Sequence, residues 1–218
     1  MYYANGFDMI KYLWEAKYIT SEDLSQPYDS FGHTLLVNAC RGENIDKIRF
    51  LLKAEVDVNQ ADRDGMTPLM CAAKKGNIKI INLLGEFGAG FTRDKKRIPQ
   101  IDRAGNSLVQ YAMQAGFETI RCLLNAGYIT NEDLSQPCDS YGNTLLIDAC
   151  NHENVDLIRF LLEAKVNVNQ TNNNGETPLM RAASSGSTEI LELLKTHGAG
   201  FTENKSLIPQ KTKEGETL

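Results

Sequence analysis

Histidine and cysteine are the residue types in this sequence that could bind a metal ion or act as a nucleophile. The sequence has three histidines, at His33, His152 and His197. Metal ligands usually recur at short, regular spacings, so the unrelated spacings here argue against a metal centre. Cys40 and Cys150 occupy positions typical of small core residues, and no CxxC pair is present. Cys71, one residue before two alanines, is expected to be less buried and is the thiol that could react.

Paired carboxylates are a second source of chemistry, and the segment Glu-Asp-Leu occurs at 22–24 and at 132–134. Two acids need an enclosed cleft before their pKa values separate enough for acid–base catalysis. A connector between repeats rarely supplies such a cleft, so a solvated turn is the better interpretation. Phosphate-binding, hydrolase-elbow and zinc-protease motifs are missing from the sequence as well. The sequence therefore predicts no enzyme activity and no cofactor.

The charge and hydropathy of the chain narrow the choice of partner. Its 218 residues include 23 basic and 28 acidic side chains, and the net charge of -5 argues against nucleic acid as a partner. No apolar run approaches the roughly 18–20 residues of a membrane span, and charges within residues 1–20 argue against a signal peptide. An odd number of cysteines indicates reduced thiols and hence a cytoplasmic, reducing location.

The chain contains a long internal repeat. Residues 1–108 align without a gap on residues 111–218, and 57 of the 108 aligned pairs are identical. The segment YITSEDLSQP at 18–27 returns, for example, as YITNEDLSQP at 128–137. The sequence therefore predicts a tandem duplication of a 110-residue block within one domain that spans residues 1–218.

A shorter period divides each block. A glycine with Thr or Ser two residues later recurs at spacings of 33, 40, 37, 33 and 40 residues, at Gly32, Gly65, Gly105, Gly142, Gly175 and Gly215. This spacing divides the chain into a partial unit at 1–31 and units at 32–64, 65–104, 105–141, 142–174 and 175–214. Repeats of about this length form stacked arrays in which each unit contacts its neighbours and no single central core exists.

One well-formed unit shows how the sequence specifies its local structure. Asp62 favours a tight turn, Thr67 suits a helix N-cap, and Pro68 suits the first helical position, where its missing N–H costs nothing. Gly76 is expected to end this first helix. A second helix is expected over residues 78–90, with its isoleucines and leucines in the core and a stop at Gly88-Ala89 that leads into the next turn.

These features resemble the ankyrin-repeat family. TPLMCAA at 67–73 and TPLMRAA at 177–183 are similar to the ankyrin signature TPLHxAA, and LLKAEVDVNQAD at 51–62 is similar to its ending LLxxGADVNAxD. Periodicity alone does not separate this family from TPR repeats, which lack the glycine-led turn. The resemblance covers essentially the whole chain. It implies an all-α ankyrin-repeat solenoid of about five full units plus a partial N-terminal unit, built from helix pairs and β-hairpin fingers.

The signature histidine is the main departure from the family pattern. Its place is taken by Val37, Met70, Gln110, Ile147 and Met180. We expect the hydrogen bonds of that histidine to be absent, and packing to hold these positions instead.

Ankyrin proteins usually bind partners through the finger tips and the exposed concave end of each first helix. Carried over by position, the candidates on the tips are Phe31, His33, Arg63, Met66, Arg103, Asn106, Tyr141 and Asn143. The candidates on the first helices are Arg41, Lys74, Lys75 and Gln114. Phe31 and Tyr141 are hot-spot candidates, because exposed aromatic rings contribute strongly to interfaces. Packing of these two rings on a neighbouring finger is an equal alternative.

The two copies agree at turn glycines and core leucines and differ at their projecting side chains. The basic residues Arg41, Arg63, Lys74, Lys75 and Arg103 correspond to Asn151, Asn173, Ser184, Ser185 and Lys213, and the basic run at 93–97 corresponds to 203–207. A basic first half would favour an acidic segment of a partner protein. The alternative is that an unconstrained surface drifted.

The family resemblance also implies a modification site. Repeats of the form L-x5-D-V-N are targets of the factor-inhibiting asparaginyl hydroxylase, and Leu51 with Asp57-Val58-Asn59 has that form. Asn59 is therefore a candidate for hydroxylation. The second copy has Asn167 in place of the aspartate, so Asn169 is the poorer candidate. The alternative for both asparagines is that the side chain holds the finger in place.

Three hypotheses of function follow. The leading one is a protein–protein interaction module without catalysis of its own. The second is a targeting or substrate-recruiting array of a larger enzyme or of an intracellular bacterial effector, which would act in the host-cell cytosol. The third is a structural solenoid that assembles head to tail: the chain begins and stops inside a repeat, and the stub at 215–218 supplies the helix start that the N-terminus lacks. Excision from a longer array explains the same ends.

Overall fold

The computed structural model of the protein describes residues 4–92, 94–98 and 100–200, with the backbone alone for residues 4 and 5. The chain forms two compact units, Met1–Tyr128 and Ile129–Leu218. The described residues form helices and turns, and isolated β-bridges at the fingers take the place of strands. The all-α class is therefore confirmed, whereas the single domain and its duplicated block stay a prediction. Residues 201–218, which include the segment 203–207, Lys213 and the stub at 215–218, lie outside the described residues.

Most of the helices are short and follow one another in pairs, with α2 and α9 standing between pairs. Those of the first unit are α1 (Ala4–Glu15), α2 (Ser21–Ser25), α3 (Leu35–Arg41), α4 (Ile45–Lys53), α5 (Pro68–Lys75), α6 (Ile78–Glu86), α7 (Leu108–Ala115) and α8 (Phe117–Asn125). Those of the second unit are α9 (Asn131–Leu134), α10 (Leu145–Asn151), α11 (Val155–Glu163), α12 (Pro178–Ser185) and α13 (Thr188–Thr196). The two members of a pair such as α5 and α6 pack on each other, and the segment from one pair to the next carries a finger.

Side-chain caps and glycines set the ends of these helices. Thr67 is the N-cap of α5, and its hydroxyl accepts a hydrogen bond from the N–H of Met70 at 3.2 Å. Gly76 ends α5 in the left-handed conformation, with φ of 67°. The second helix ends at Glu86 rather than at residue 90, because Gly88 turns left-handed and the N–H of Ala89 bonds back to Leu84 at 3.1 Å.

Small residues let neighbouring first helices approach closely. Helix α5 packs between α3 and α7, and both Ala72 and Ala73 on it are completely buried. A Cβ atom on Gly76 would lie 3.1 Å from the Cβ atom of Ala115, at the end of α7. Interiors packed this tightly tolerate little added volume. The alanines and the glycine therefore set the spacing between successive repeats.

Packing replaces the family's histidine at four of its five positions, as predicted. The buried side chains there are Val37, Met70, Ile147 and Met180. Gln110 differs, because it forms a capping box with Ser107: its Oε1 accepts from the Ser107 N–H at 2.6 Å, and the Ser107 hydroxyl accepts from the Gln110 N–H at 3.4 Å.

Candidate partner-binding surface

Each finger tip is shaped by an aspartate or asparagine at its base. Oδ1 of Asp29 accepts hydrogen bonds from the N–H groups of Phe31 at 3.1 Å and His33 at 3.0 Å. Oδ2 of the same carboxylate lies 2.7 Å from Nδ1 of His33. Although desolvation opposes it, the bonds from His33 and Phe31 hold the pKa of Asp29 below its usual range. The tip backbone is therefore ordered before any partner binds, which lowers the entropic cost of association.

The same turn recurs in the other tips. In each, Oδ1 of the base residue accepts from the N–H of the residue four positions later, and the base residues are Asp62, Asp102, Asp139 and Asn172. A short side-chain acceptor that bonds its own following backbone is typical of such turns. Asp62 was predicted in this role from the sequence, and the aspartates at the equivalent positions carry the same signal.

The tips of the first unit stand side by side. The guanidinium of Arg63 donates to the carbonyl of Ser30 at 2.7 Å, and the N–H of Arg103 donates to the carbonyl of Asp64 at 2.9 Å. A Cβ atom on Gly65, where φ is 82°, would lie 2.9 Å from the backbone nitrogen of Arg103. Glycine is therefore required at this contact. We refer to the three joined tips, at 29–33, 62–66 and 102–106, as the tip edge.

Aromatic rings project from one tip of each unit. Phe31 is 69% exposed and Tyr141 is 67% exposed. The ring of Phe31 lies 5.8 Å from that of His33, within its own tip. In the second unit, the N–H of Asn173 donates to the carbonyl of Tyr141 at 2.9 Å, which fixes the backbone beneath that ring. Both rings stand largely in solvent on an ordered backbone.

Arg41, one of the cations predicted to bind a partner, forms an ion pair within the protein. Nη2 of Arg41 lies 2.6 Å from Oδ2 of Asp62, and the Asp62 side chain is completely buried. A buried carboxylate requires a partner of opposite charge, so this ion pair ties the end of α3 to the next finger. Arg41 therefore offers a partner less charge than its sequence position suggests. The two residues lie 21 positions apart, and no local pattern marks the pair.

The remaining basic candidates of the first unit, Arg63, Lys74, Lys75 and Arg103, are all exposed. Nζ of Lys74 lies 5.3 Å from the centre of the Tyr111 ring, and the Tyr111 hydroxyl donates to Asp102 at the base of a finger. Desolvation, together with this bond, raises the pKa of Tyr111 to about 12. The Tyr111–Asp102 contact was not predicted, although the aspartate before a turn glycine was a usable signal.

A family model for ankyrin repeats (3 copies) matches residues 1–95 and again residues 108–206. The chain belongs to the ankyrin-repeat family. Ankyrin repeats are generally protein-interaction modules, and the two matched segments consist of such repeats. Among the residues that the structure describes, no helix combines the length and apolar character that crossing a membrane requires. Nor do these described residues contain a group of three or more His, Cys, Asp or Glu that could hold a metal ion.

Three known proteins that are similar to this chain are all longer than it. The chain is 29% identical over 196 residues to the ankyrin repeat protein FPV031 of Fowlpox virus, which covers 81% of this chain and 54% of that protein. It is 30% identical to the ankyrin repeat and KH domain-containing protein mask-1 of Caenorhabditis elegans, over 77% of this chain and 7% of that protein. It is 34% identical to the nuclear factor NF-kappa-B p105 subunit of Gallus gallus, over 68% of this chain and 14% of that protein. The chain thus spans about half of these relatives or less.

Two ankyrin tip positions carried over from sequence do not present a side chain to a partner. Met66 and Asn143 are each only 7% exposed. Asn143 donates from Nδ2 to Asp139 at 2.8 Å and accepts at Oδ1 from Asn172 at 2.9 Å. Each of these two side chains is largely covered by its own repeat, which argues against the predicted role in partner binding.

The remaining candidate residues, Gln114, His33 and Asn106, differ in how far they are exposed. Gln114 is exposed at the end of α7. His33 and Asn106 are half-buried, and each is held by the carboxylate at the base of its own tip, Asp29 or Asp102. These three stay predictions, with Gln114 the most accessible of them.

The expected reactivity of Cys71 is wrong. The side chain is buried on α5, and desolvation raises the pKa of its thiol to about 11, although Arg41 opposes this rise. Cys40 and Cys150 are completely buried, as predicted for core residues. A thiol that stays protonated and inaccessible is a poor nucleophile. The neighbouring repeat, rather than the local sequence, covers Cys71.

Asn59 holds one finger of the ankyrin array against the next. Its Oδ1 accepts from the N–H of Gly90 at 2.7 Å, and its Nδ2 donates to the carbonyl of Phe91 at 3.1 Å. Asn169 makes the same kind of contact with Gly200 and Gly198, at 2.7 and 3.2 Å. Asn59 also lines an open groove of about 1290 Å³ on the first unit. The side chain therefore has a structural role beside an accessible surface.

Proposed function

We propose that this chain is a protein-interaction module without catalysis, and that its first unit binds an acidic segment of a partner protein along the tip edge. The observation that carries the proposal is the placement of Arg63 and Arg103 on adjacent tips, which are joined by the bond from the Arg103 N–H to the Asp64 carbonyl. Lys74 and Lys75 add two exposed charges at the end of α5. Clustered cations accelerate association with acidic partners and select against basic ones.

The second unit supports this proposal, because it folds without charges at the places of Arg63, Lys74 and Lys75. Ser184 and Ser185 occupy the places of the two lysines, and α12 still runs over Pro178–Ser185. Asn173 occupies the place of Arg63 and still bonds to the preceding tip, donating from Nδ2 to the Ser140 carbonyl at 3.2 Å. A role in helix or finger formation therefore does not account for Arg63, Lys74 and Lys75.

Phe31 supplies an apolar anchor at one end of the tip edge. A Cβ atom on Gly32 would lie 2.7 Å from the Cβ atom of Arg63, so the aromatic tip and the basic tip are in direct contact. An exposed ring beside exposed cations matches a segment in which acidic and large apolar residues alternate. We therefore propose acidic segments with apolar anchors as the ligand class.

The test uses a fluorescein-labelled peptide of alternating Glu and Leu, with a Lys-Leu peptide of equal length for comparison. Anisotropy at low salt should show binding of the acidic peptide alone, and Lys74→Glu/Lys75→Glu/Arg103→Glu should weaken it at least about tenfold. The control Arg49→Glu/Lys53→Glu/Lys79→Glu makes the same charge change at exposed cations on α4 and α6, and should keep the affinity. Equal effects of the two triple variants, or equal binding of both peptides, would refute the proposal.

A second candidate function is recruitment of substrates or targets for a larger protein. The support is that the matching segments make up only 7% of mask-1 and 14% of the p105 subunit. The mass of the endogenous protein, measured after purification from its source, tests this candidate. A mass equal to the 24.3 kDa of this chain would remove it.

We also propose that Asn59 is the hydroxylation site of the array and that the protein works in a reducing compartment. The first proposal rests on the L-x5-D-V-N form and on the position of Asn59 beside the open groove. The second rests on the odd number of cysteines. Intact mass after incubation with the asparaginyl hydroxylase tests the first, with Asn59→Ala as the control. Alkylation of thiols in freshly lysed cells tests the second.

A further inference from the structure

An open groove of the first unit lies between two segments that a 33-residue repeat does not contain. Helix α2 borders one side and the turn at 92–96 borders the other, and the volume of the groove is about 1290 Å³. The repeat at 32–64, which has 33 residues, supplies the floor at 55–60. The groove is therefore formed by additional residues on either side of a short repeat, and it lies apart from the finger tips.

Hydrogen bonds attach the floor of the groove to both of its sides. The N–H of Asp57 donates to Oγ of Ser25 on α2 at 3.1 Å. Two residues further along, the side chain of Asn59 bonds to the backbone of Gly90 and Phe91, which lead into the turn. The width of the groove is thus set before a ligand arrives, which lowers the entropic cost of binding.

Helix α2 is short, but its contacts hold it in place. Leu24 is buried, and Thr20 and Asp23 form a capping box at the start of the helix. Glu22 is exposed on the same helix and lines the groove. The equivalent residue of α9 in the second unit, Glu132, is exposed as well, so this exposure is a property of the element.

Carboxylates that make no ion pair line the groove. Glu22, Glu55 and Asp57 are exposed, and none of them pairs with a cation among the described residues. The groove also contains two lysines, Lys53 at the end of α4 and Lys95 in the turn on the opposite side. Since α2 itself contains no cation, the side of the groove next to this helix is acidic.

The side of the groove across from α2 is aromatic. Phe87, which follows α6, is 43% exposed, and Phe91 is half-buried with its ring 5.5 Å from that of Tyr128. A Cβ atom on Gly88 would meet no atom within 4 Å, so the space beside Phe87 is open. A guanidinium group suits such a place, because it pairs with carboxylates through parallel N–H groups and stacks on aromatic rings.

The second copy folds with other side chains at two of the acidic positions. Lys165 stands in the place of Glu55, with a φ of 57° against 58°. Asn167 stands in the place of Asp57, and its Oδ1 accepts from the N–H of Asn169 at 3.0 Å, where the equivalent bond of Asp57 measures 2.9 Å. A structural role therefore does not account for the charges of Glu55 and Asp57.

The backbone of Glu55 gives a second reason to connect its carboxylate with binding. A φ of 58° is left-handed, a conformation that favours glycine over residues with a side chain. The family ending LLxxGADVNAxD has glycine at this place, whereas this chain has glutamate. The chain thus keeps an exposed carboxylate where glycine would cost less strain.

We infer that the groove binds an extended segment of a partner protein through one arginine. The guanidinium pairs with the carboxylates of Glu22, Glu55 and Asp57, and its flat face lies against the ring of Phe87. The site uses none of the residues of the tip edge, so it is independent of the proposed function, and either can fail without the other.

The two lysines restrict which basic segments fit. Lys53 and Lys95 repel further cations on the partner, so a single arginine between neutral residues is favoured over a run of basic residues. This selectivity separates the proposed contact from a general attraction of basic peptides to a chain with a net charge of -5.

A peptide titration followed by amide NMR signals tests the contact. The peptide Gly-Ser-Leu-Arg-Leu-Ser-Gly is compared with one that has citrulline, which is neutral and of the same shape, in place of arginine. The arginine peptide should bind at least about tenfold more tightly and shift the amide signals of 55–60 and Gly88, while the signals of the tip edge stay unchanged. A peptide with three arginines in a row should bind no more tightly.

Several results of this titration would overturn the inference. They are equal binding of the arginine and citrulline peptides, tighter binding of the peptide with three arginines, and shifts that lie outside the groove. Signals of 55–60 that move with protein concentration before any peptide is added would identify a second copy of the chain as the occupant instead.

Matched substitutions in the two copies separate binding from folding. Glu22→Gln and Glu55→Gly should each weaken binding of the arginine peptide at least about threefold. Glu55→Gly should at the same time raise the melting temperature, because glycine relieves the left-handed backbone. In the second copy, Glu132→Gln and Lys165→Gly should keep the affinity, and Lys165→Gly should raise the melting temperature as well. Equal effects on affinity in the two copies would contradict the assignment of the arginine to this groove.

Discussion

The guanidinium of Arg41 lies 2.6 Å from the carboxylate of Asp62, whose side chain is completely buried. The pair fastens the end of α3 to the finger that follows α4. The second copy has Asn151 and Asn172 at these two positions, and there Nδ2 of Asn172 donates to Glu176 at 2.7 Å and to Asn143 at 2.9 Å. The two copies thus fill the same buried position with a charged carboxylate in one case and with a neutral amide in the other.

Removing Arg41 should destabilise the first unit strongly. We expect Arg41→Ala to lower the free energy of unfolding by about 3 kcal/mol, because it leaves the buried carboxylate of Asp62 without a counter-charge. The variant Arg41→Asn/Asp62→Asn removes the buried charge together with its partner and should recover more than half of the loss. Urea titration followed by fluorescence of Trp14, the single tryptophan, reports on this unit. A double variant less stable than Arg41→Ala would contradict the ion-pair argument.

Because the tips are in close contact at Gly65, replacing this glycine should cost more stability than replacing Gly105. Both have φ near 80°, at 82° and 85°, so alanine costs about 1–2 kcal/mol of backbone strain at either. At Gly65 the new Cβ atom also meets the backbone of Arg103, whereas at Gly105 no described atom lies within 4 Å of it. The melting temperature should therefore fall further for Gly65→Ala than for Gly105→Ala. An equal fall in melting temperature for the two variants would mean that the contact between the tips adds no stability.

The bonds of Asn59 predict a local effect on the next finger. Asn59→Ala should cost about 2 kcal/mol, because the N–H of Gly90 and the carbonyl of Phe91 lose their partner in a half-buried place. Asn59→Asp keeps an acceptor for Gly90 and should cost less. Hydrogen exchange of the Gly90 amide is the direct measurement, and Asn169→Ala is the control in the other unit. An unchanged exchange rate at Gly90 would show that the bond contributes nothing.

The buried thiol of Cys71 predicts a pH dependence of stability. Desolvation raises its pKa from 9.0 to about 11 in the folded protein, so the unfolded thiol ionises first. Its contribution is therefore fully present below about pH 9 and is lost as the pH rises towards 11, by up to about 1.4 kcal/mol per pH unit. Urea titrations between pH 8 and 11 should show a shallower decline for Cys71→Ala than for the wild type. An equal loss of stability with pH in the two proteins would contradict the assignment of this pH dependence to Cys71.

Much of the fold could be predicted because its signals are local. Thr67 and Pro68 start a helix through their own side chains, and Gly76 ends it through its own backbone freedom. Because these signals recur along the chain, they identified the family without any knowledge of distances between residues. The end of the second helix was placed four residues too late, because the turn at Gly88 depends on which carbonyl the next N–H reaches.

The candidate site was predicted less well. Phe31 and Tyr141 are exposed, as hot-spot residues must be, and their role in binding stays a prediction. Met66 and Asn143 were misplaced because a tip position says nothing about the direction of the side chain after the turn closes. Arg41 was counted as a free charge because its partner Asp62 lies 21 positions further along the chain, beyond helix α4.

The sequence by itself determined the repeating unit, its caps, its turns and the family. Only the tertiary structure decided which side chains remain at the surface. Tyr18 and Tyr128 lie in nearly identical ten-residue segments, yet one is exposed and the other buried. The physical reason is that burial depends on the surface that packs against a residue, and in a stacked array that surface belongs to the neighbouring repeat.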